Sequence, residues 1–115
     1  VVGLDFSKQK RLLEAHQFKR VFDLPDKKLS TSYVLLLACK NDFNHSRLGL
    51  VIGKKNVKLA VQRNRLKRQI RELFRLNQHL ISNYDVVVIA RRGFDEVPND
   101  ELQKQFMKFW KKFCL

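Results

Sequence analysis

"LGLVIGKKNVKLAVQRNRLKRQIRELFR", residues 48–75, changes character halfway along. It opens inside "RLGLVIG" (47–53), a short apolar run suited to a strand. It continues with apolar residues at helical spacing. Asn56 is a suitable N-cap, and a helix is expected from there to about Leu76. At about 100° per residue, Leu59, Leu66, Ile70, Leu73 and Phe74 share one arc, which should be buried. Lys67, Arg71, Asn64, Arg75, Arg68 and Arg65 fall on the other side as a continuous basic stripe. Arg63 points within the apolar arc, so its side chain must reach out past the first turns of the helix.

Residues 54–75 carry Lys54, Lys55, Lys58, Arg63, Arg65, Lys67, Arg68, Arg71 and Arg75 against the single acid Glu72. Ordinary solvated helix faces mix signs, because opposite charges four residues apart stabilise a helix and like charges do not. Here Arg63–Lys67, Lys67–Arg71 and Arg71–Arg75 are all like-charged at that spacing. Arg68–Glu72 is the one favourable pair. Each like pair costs roughly a few tenths of a kcal/mol. A stripe that accepts this cost calls for an anionic partner. Arginine outnumbers lysine on it, which favours forked contacts to phosphate oxygens. Nucleic acid is the expected partner. A membrane surface is set aside, because the apolar arc is the one a sheet needs to cover it.

Outward from this segment, "EAHQFKRVFD" (14–23) reads as a short helix ended by Leu24-Pro25-Asp26, with Phe18 and Phe22 on one face. "YVLLLAC" (33–39) is a buried strand and "NDFNHS" (41–46) is turn-like, so residues 33–53 are expected to form a hairpin with a long loop. Residues 28–32 suit a short edge strand. "YDVVVIA" (84–90) is a further strand. Pro98-Asn99 opens a last helix, with Asn99 as its cap and Leu102, Phe106, Phe109, Trp110 and Phe113 as its apolar face. The expected fold is an α+β or α/β sandwich: one domain over residues 1–115, a small mixed sheet covered by helices.

Composition agrees. At 44% apolar the 115-residue chain is a folder, and its net charge of +13 is best neutralised by a polyanion. No apolar run is long enough to span a bilayer, and "VVGLDFSKQK" does not read as a signal peptide. Cys39 and Cys114 form no C-x-x-C pair and read as free thiols in a reducing compartment, so a cytoplasmic location is expected. Glu14, Asp23, Asp26 and Asp42 are scattered, without a paired-carboxylate motif for two metal ions. His16, His45 and His79 form no metal-binding or catalytic spacing. Three functions remain open: an RNA-processing subunit, a ribosomal or other structural RNA-binding protein, and a self-sufficient basic nuclease.

The Arg63-Asn64-Arg65 core followed by Lys67-Arg68 and Arg71-Glu72 resembles the signature of the bacterial ribonuclease P protein component. "QFKRVF" (17–22) is similar to that family's first helix, and "YDVVVIARRG" (84–93) to its last strand. The resemblance implies a four-stranded sheet like that of the second domain of the fifth small-subunit ribosomal protein, with a left-handed βαβ crossover. It implies a subunit of the endoribonuclease that removes the 5′ leader of precursor tRNA, with the chemistry and its Mg²⁺ carried by the catalytic RNA. No catalytic or metal-binding residue is then expected on the protein, nor an obligate protein partner. By the same resemblance Arg63, Asn64, Arg65, Lys67, Arg68 and Arg71 would contact the catalytic RNA. Phe18, Phe22, Tyr33, Lys54 and Lys55 would hold the leader in a cleft between the first helix and the sheet.

Overall fold

The computed structural model describes residues 10–81 and 83–114, without the Cys114 side chain. The expectations for the N-terminal signal and the Cys114 thiol lie outside the described residues. The elements run α1 (Ala15–Asp23), β1 (Lys27–Ser30), β2 (Val34–Lys40), β3 (Arg47–Val51), α2 (Ala60–Asn77), β4 (Tyr84–Ala90) and α3 (Asn99–Lys111). Single 3₁₀ turns follow α2, precede α3 and follow α3.

The strands form one sheet in the order β1-β2-β4-β3. β2 lies antiparallel to both β1 and β4, whereas β3 runs parallel to β4, with Gly49 opposite Val87. The expected hairpin between β2 and β3 is therefore absent: β4 is inserted between them. The physical reason lies in β4 itself. Val86, Val87 and Val88 are all fully buried, so this strand is apolar on both faces and needs strands on both sides and helices above and below. β1, with Lys27 and Lys28, is a short charged edge that discourages further pairing.

Alternation along the strands divides the core. Val34, Leu36, Ala38, Val86, Val88 and Ala90 meet Leu66, Ile70 and Phe74 of α2 and Leu102, Phe106, Phe109 and Trp110 of α3. Leu37, Cys39 and Val87 face the other way, towards Val21 and Phe18 of α1 and Leu12 before it. Gln17 fixes the start of α1 by accepting the backbone N–H groups of Leu13 and Glu14 at 2.7 and 3.0 Å. Leu24 closes the helix by donating to the Arg20 carbonyl.

One buried carboxylate ties the end of the sheet together. Asp85 is fully buried and opposes Arg47 in the β3–β4 ladder. Arg47 donates to its two oxygens at 2.7 and 2.6 Å, and Asn41 Nδ2 donates at 2.8 Å. Arg20 of α1 approaches the same carboxylate at 3.8 Å and donates to the Lys40 carbonyl. The charge is thus paired and hydrogen-bonded, the condition under which burying it is tolerable.

The helix starts differ from expectation. Asn56 does not cap α2; it sits in a turn closed by Gly53, and its side chain donates to the Ala90 carbonyl at 2.9 Å. α2 begins only at Ala60, so Leu59 precedes the helix and is 61% exposed, not buried. Asn99 is the first residue of α3, not its cap. Its side-chain oxygen is turned to α2, where Gln69 donates to it at 2.6 Å.

Candidate nucleic-acid interface

α2 is anchored by Leu66, Ile70 and Phe74, so its polar face is held at a fixed angle to the sheet. Asn64, Lys67, Arg68 and Arg71, with Glu72 and Arg75, line a groove of about 420 Å³ along this face. Among the described residues Lys67, Arg68 and Arg71 have no ion pair. The expected Arg68–Glu72 pair does not form. Glu72 turns to Arg75 instead, at 2.6 Å, and this guanidinium lowers the Glu72 pKa. Arg68 is left available.

The two arginines flanking Asn64 are placed otherwise. Arg63 does not reach outward; it folds back and donates to the Val57 and Lys58 carbonyls at 2.9 and 2.8 Å. These carbonyls belong to the loop entering α2, so Arg63 ties the start of the helix to that loop. Arg65 is half-buried. It donates to Gln62 at 2.7 Å, to Gln69 and Asn99 at 3.1 Å, and to the Asp95 carbonyl at 3.4 Å. It therefore clamps α2 to the start of α3. Charge alone could not reveal this, because the acceptors come from loops far along the chain.

A second hollow, about 610 Å³, lies between α1 and the edge strand β3. Phe18, Phe22 and Lys19 form one wall, and Leu50 and Val51 the other. Phe22 is 43% exposed, so a ring face is available to a ligand. Phe18 is half-buried and serves core and wall together: it packs with Val21 and Val87 while lining the hollow. Its ring fits because Gly49 has no side chain. Lys54 and Lys55 lie in an exposed turn two residues beyond the end of β3 and do not line this hollow. Tyr33 does not join this group; it stacks on Phe94 with ring centres 6.0 Å apart, and burial raises its pKa.

Residues 11–13 carry no periodicity that marks an element, yet they matter here. Arg11 pairs beside Leu48, and the Leu12 amide donates to the Leu48 carbonyl at 2.9 Å. This segment extends the edge of β3 and walls the region between the two grooves. Leu12-Leu13 was the available signal, but two apolar residues are too few for a periodicity.

Among the described residues no three His, Cys, Asp or Glu side chains gather as a metal-binding group. The buried carboxylate, Asp85, is already occupied by Arg47 and Asn41. These residues do not fit a Mg²⁺ site. No described helix is long and apolar enough to cross a membrane. The arrangement supplies forked cations for phosphate and aromatic faces for bases.

Comparison with known proteins agrees with this geometry. The sequence profile of the family described as Ribonuclease P matches residues 6–114. The ribonuclease P protein component of Pseudomonas aeruginosa is 60% identical over 112 residues, covering 97% of this chain and 83% of that protein. That of Azotobacter vinelandii is 56% identical over 114 residues, covering 99% and 88%. Among solved structures, the Staphylococcus aureus RNase P protein superimposes with a TM-score of 0.81 at 28% identity, covering 90% of this chain and 94% of that one. The Thermotoga maritima RNase P protein does so with a TM-score of 0.77 at 34% identity, covering 89% and 96%. By profile, by sequence identity along nearly its whole length and by its mixed four-stranded sheet, the chain belongs to the ribonuclease P protein family.

Proposed function

We propose that this protein binds the catalytic RNA of ribonuclease P along the α2 stripe and the single-stranded 5′ leader of precursor tRNA in the α1–β3 groove. As a ribonuclease P protein component it is a subunit of the endoribonuclease that matures tRNA 5′ ends. The observation that carries the division of labour is the state of Lys67, Arg68 and Arg71. They lie on a rigidly anchored helix, without an ion pair among the described residues, along one groove. Such cations are positioned for phosphate before any RNA arrives, so little ordering cost remains at binding. Phe18 and Phe22 offer stacking surfaces to unpaired bases, with Lys54 and Lys55 following β3 for the backbone. Tyr33 has no support from this geometry as a leader contact.

The protein itself performs no bond cleavage in this reading. Mg²⁺ and the phosphodiester chemistry belong to the RNA subunit, and the protein acts in the cytoplasm without an obligate protein partner. Reconstitution tests this. Addition of the protein to a ribonuclease P RNA should restore leader removal at physiological salt. Phe18→Ala should weaken precursor tRNA binding by about 1–3 kcal/mol while leaving mature tRNA binding nearly unchanged. Cleavage of RNA by the purified protein alone would favour a basic nuclease. Binding without restored leader removal would favour a structural RNA-binding protein.

A further inference from the structure

The two grooves are not separate surfaces. Phe18 and Leu50 line both the α1–β3 groove and a smaller hollow of about 150 Å³ beside it. Lys67 and Arg71 line that same hollow and also the α2 groove. Leu12 and Leu48, held together by their backbone hydrogen bond, form the wall between. Among the described residues these shared linings connect the two grooves, from Phe22 past Phe18 and over the β3 edge to Lys67 and Arg71.

Lys67 is the telling residue. It is half-buried, has no ion pair among the described residues, and flanks apolar side chains. Low-dielectric walls strengthen the pull of such a cation on a phosphate. We infer that the leader strand does not end at the aromatic groove but continues over β3, with the phosphates of its further nucleotides on Lys67 and Arg71, which divides the α2 stripe and leaves the catalytic RNA its outer part, Asn64 and Arg68. This rests on the leader reading given above. The leader is the favoured occupant because Phe18 belongs to both hollows. A strand already stacked there presents its next phosphates at high effective concentration. Arg68 lines the α2 groove but not the junction, and so belongs with the catalytic RNA alone.

The test uses precursor tRNAs with leaders of graded length, bound to holoenzyme assembled with saturating protein. Wild type should gain affinity as the leader lengthens past the aromatic groove. Lys67→Gln and Arg71→Gln should each remove part of that late gain. For the long leader the salt slope should fall by about 0.7 per lost phosphate, which between 1 M and 0.15 M salt is about fourfold in affinity. Any loss by Arg68→Gln should be the same for short and long leaders. Lys67→Arg should retain the long-leader gain, which separates loss of charge from loss of fold. Equal losses by Lys67→Gln and Arg71→Gln for short and long leaders would overturn the inference and assign the junction to the catalytic RNA. Wild-type affinity independent of leader length would instead remove the leader reading on which it stands.

Discussion

Gly49→Ala is the substitution that most directly probes how the groove is built. A methyl carbon on Gly49 would stand 2.5 and 2.7 Å from Phe18 Cε1 and Cζ, and 3.1 Å from Leu12 Cβ. Carbon atoms rest at about 3.5–4.0 Å, so the Phe18 ring must retreat by roughly 1 Å. Overpacking of this kind costs about 1–3 kcal/mol. The retreating ring is also the groove wall, so precursor tRNA affinity should fall with it while mature tRNA affinity holds. Most of the cost should vanish once the ring is gone. In a Phe18→Ala background only the 3.1 Å approach to Leu12 Cβ remains, and the preference of a strand for alanine over glycine, about 0.5–1 kcal/mol, works against it. Denaturant unfolding of the four proteins in the cycle measures both effects, and the coupling between neighbours should be plain. If Gly49→Ala destabilises the Phe18→Ala protein as much as wild type, Phe18 does not sit on Gly49 and the packing described here is wrong.

Arg68→Ala and Arg65→Ala should differ in kind. The first should leave the unfolding midpoint within about 0.5 kcal/mol of wild type and lower the salt slope of catalytic-RNA binding by about one contact. The second breaks the clamp between α2 and α3 and should cost about 1–3 kcal/mol of stability, read by thermal unfolding. Asp85→Ala strands the Arg47 guanidinium at the end of the sheet and should cost about 3–5 kcal/mol; a midpoint equal to wild type would show that end to be hydrated. Burial raises the Cys39 pKa, so the unfolded thiol loses its proton first as pH rises. The stability this thiol contributes is therefore full below the unfolded pKa and is lost as pH climbs through the folded one. Cys39→Ala should flatten the alkaline limb of the stability profile, and in a Cys114→Ser background native Cys39 should resist alkylation until denaturant is added.

The pattern of buried residues was largely legible from sequence, and the pairing of strands was not. Leu66, Ile70 and Phe74 could be placed on the core side of α2, and Leu102, Phe106, Phe109 and Trp110 on that of α3, because periodicity reports burial directly. Strand order is different. β2 and β3 are neighbours in sequence, which suggests a hairpin, yet the order depends on which strand is apolar on both faces. "YDVVVIA" carried that information, in a longer apolar run than "RLGLV", and it takes the central position. The starts of α2 and α3 are not legible in the sequence for a related reason. Asn56 and Asn99 are good caps in isolation, but each has an acceptor or donor in a distant element that wins its side chain.

The Arg63-Asn64-Arg65 core shows the same limit within three residues. Its charge announces a phosphate partner, and the chain does belong to an RNA-processing family. Yet Arg63 spends donors on the Val57 and Lys58 carbonyls, and Arg65 commits all three of its guanidinium nitrogens to α2, α3 and the turn before α3. At Arg65 only a planar fork with several fixed donors can close such contacts, so lysine would not substitute there. The consequence is a hierarchy along one helix. Arg63 holds the loop that leads into α2, and Arg65 holds α2 against α3. Together they tie the first turns of the helix to neighbouring segments, while the buried Leu66, Ile70 and Phe74 set its rotation against the sheet. That rotation decides where Lys67, Arg68 and Arg71 point, one and two turns further on. In the reading proposed above, the first arginines of the motif would serve RNA binding largely by holding in place the helix that carries those cations.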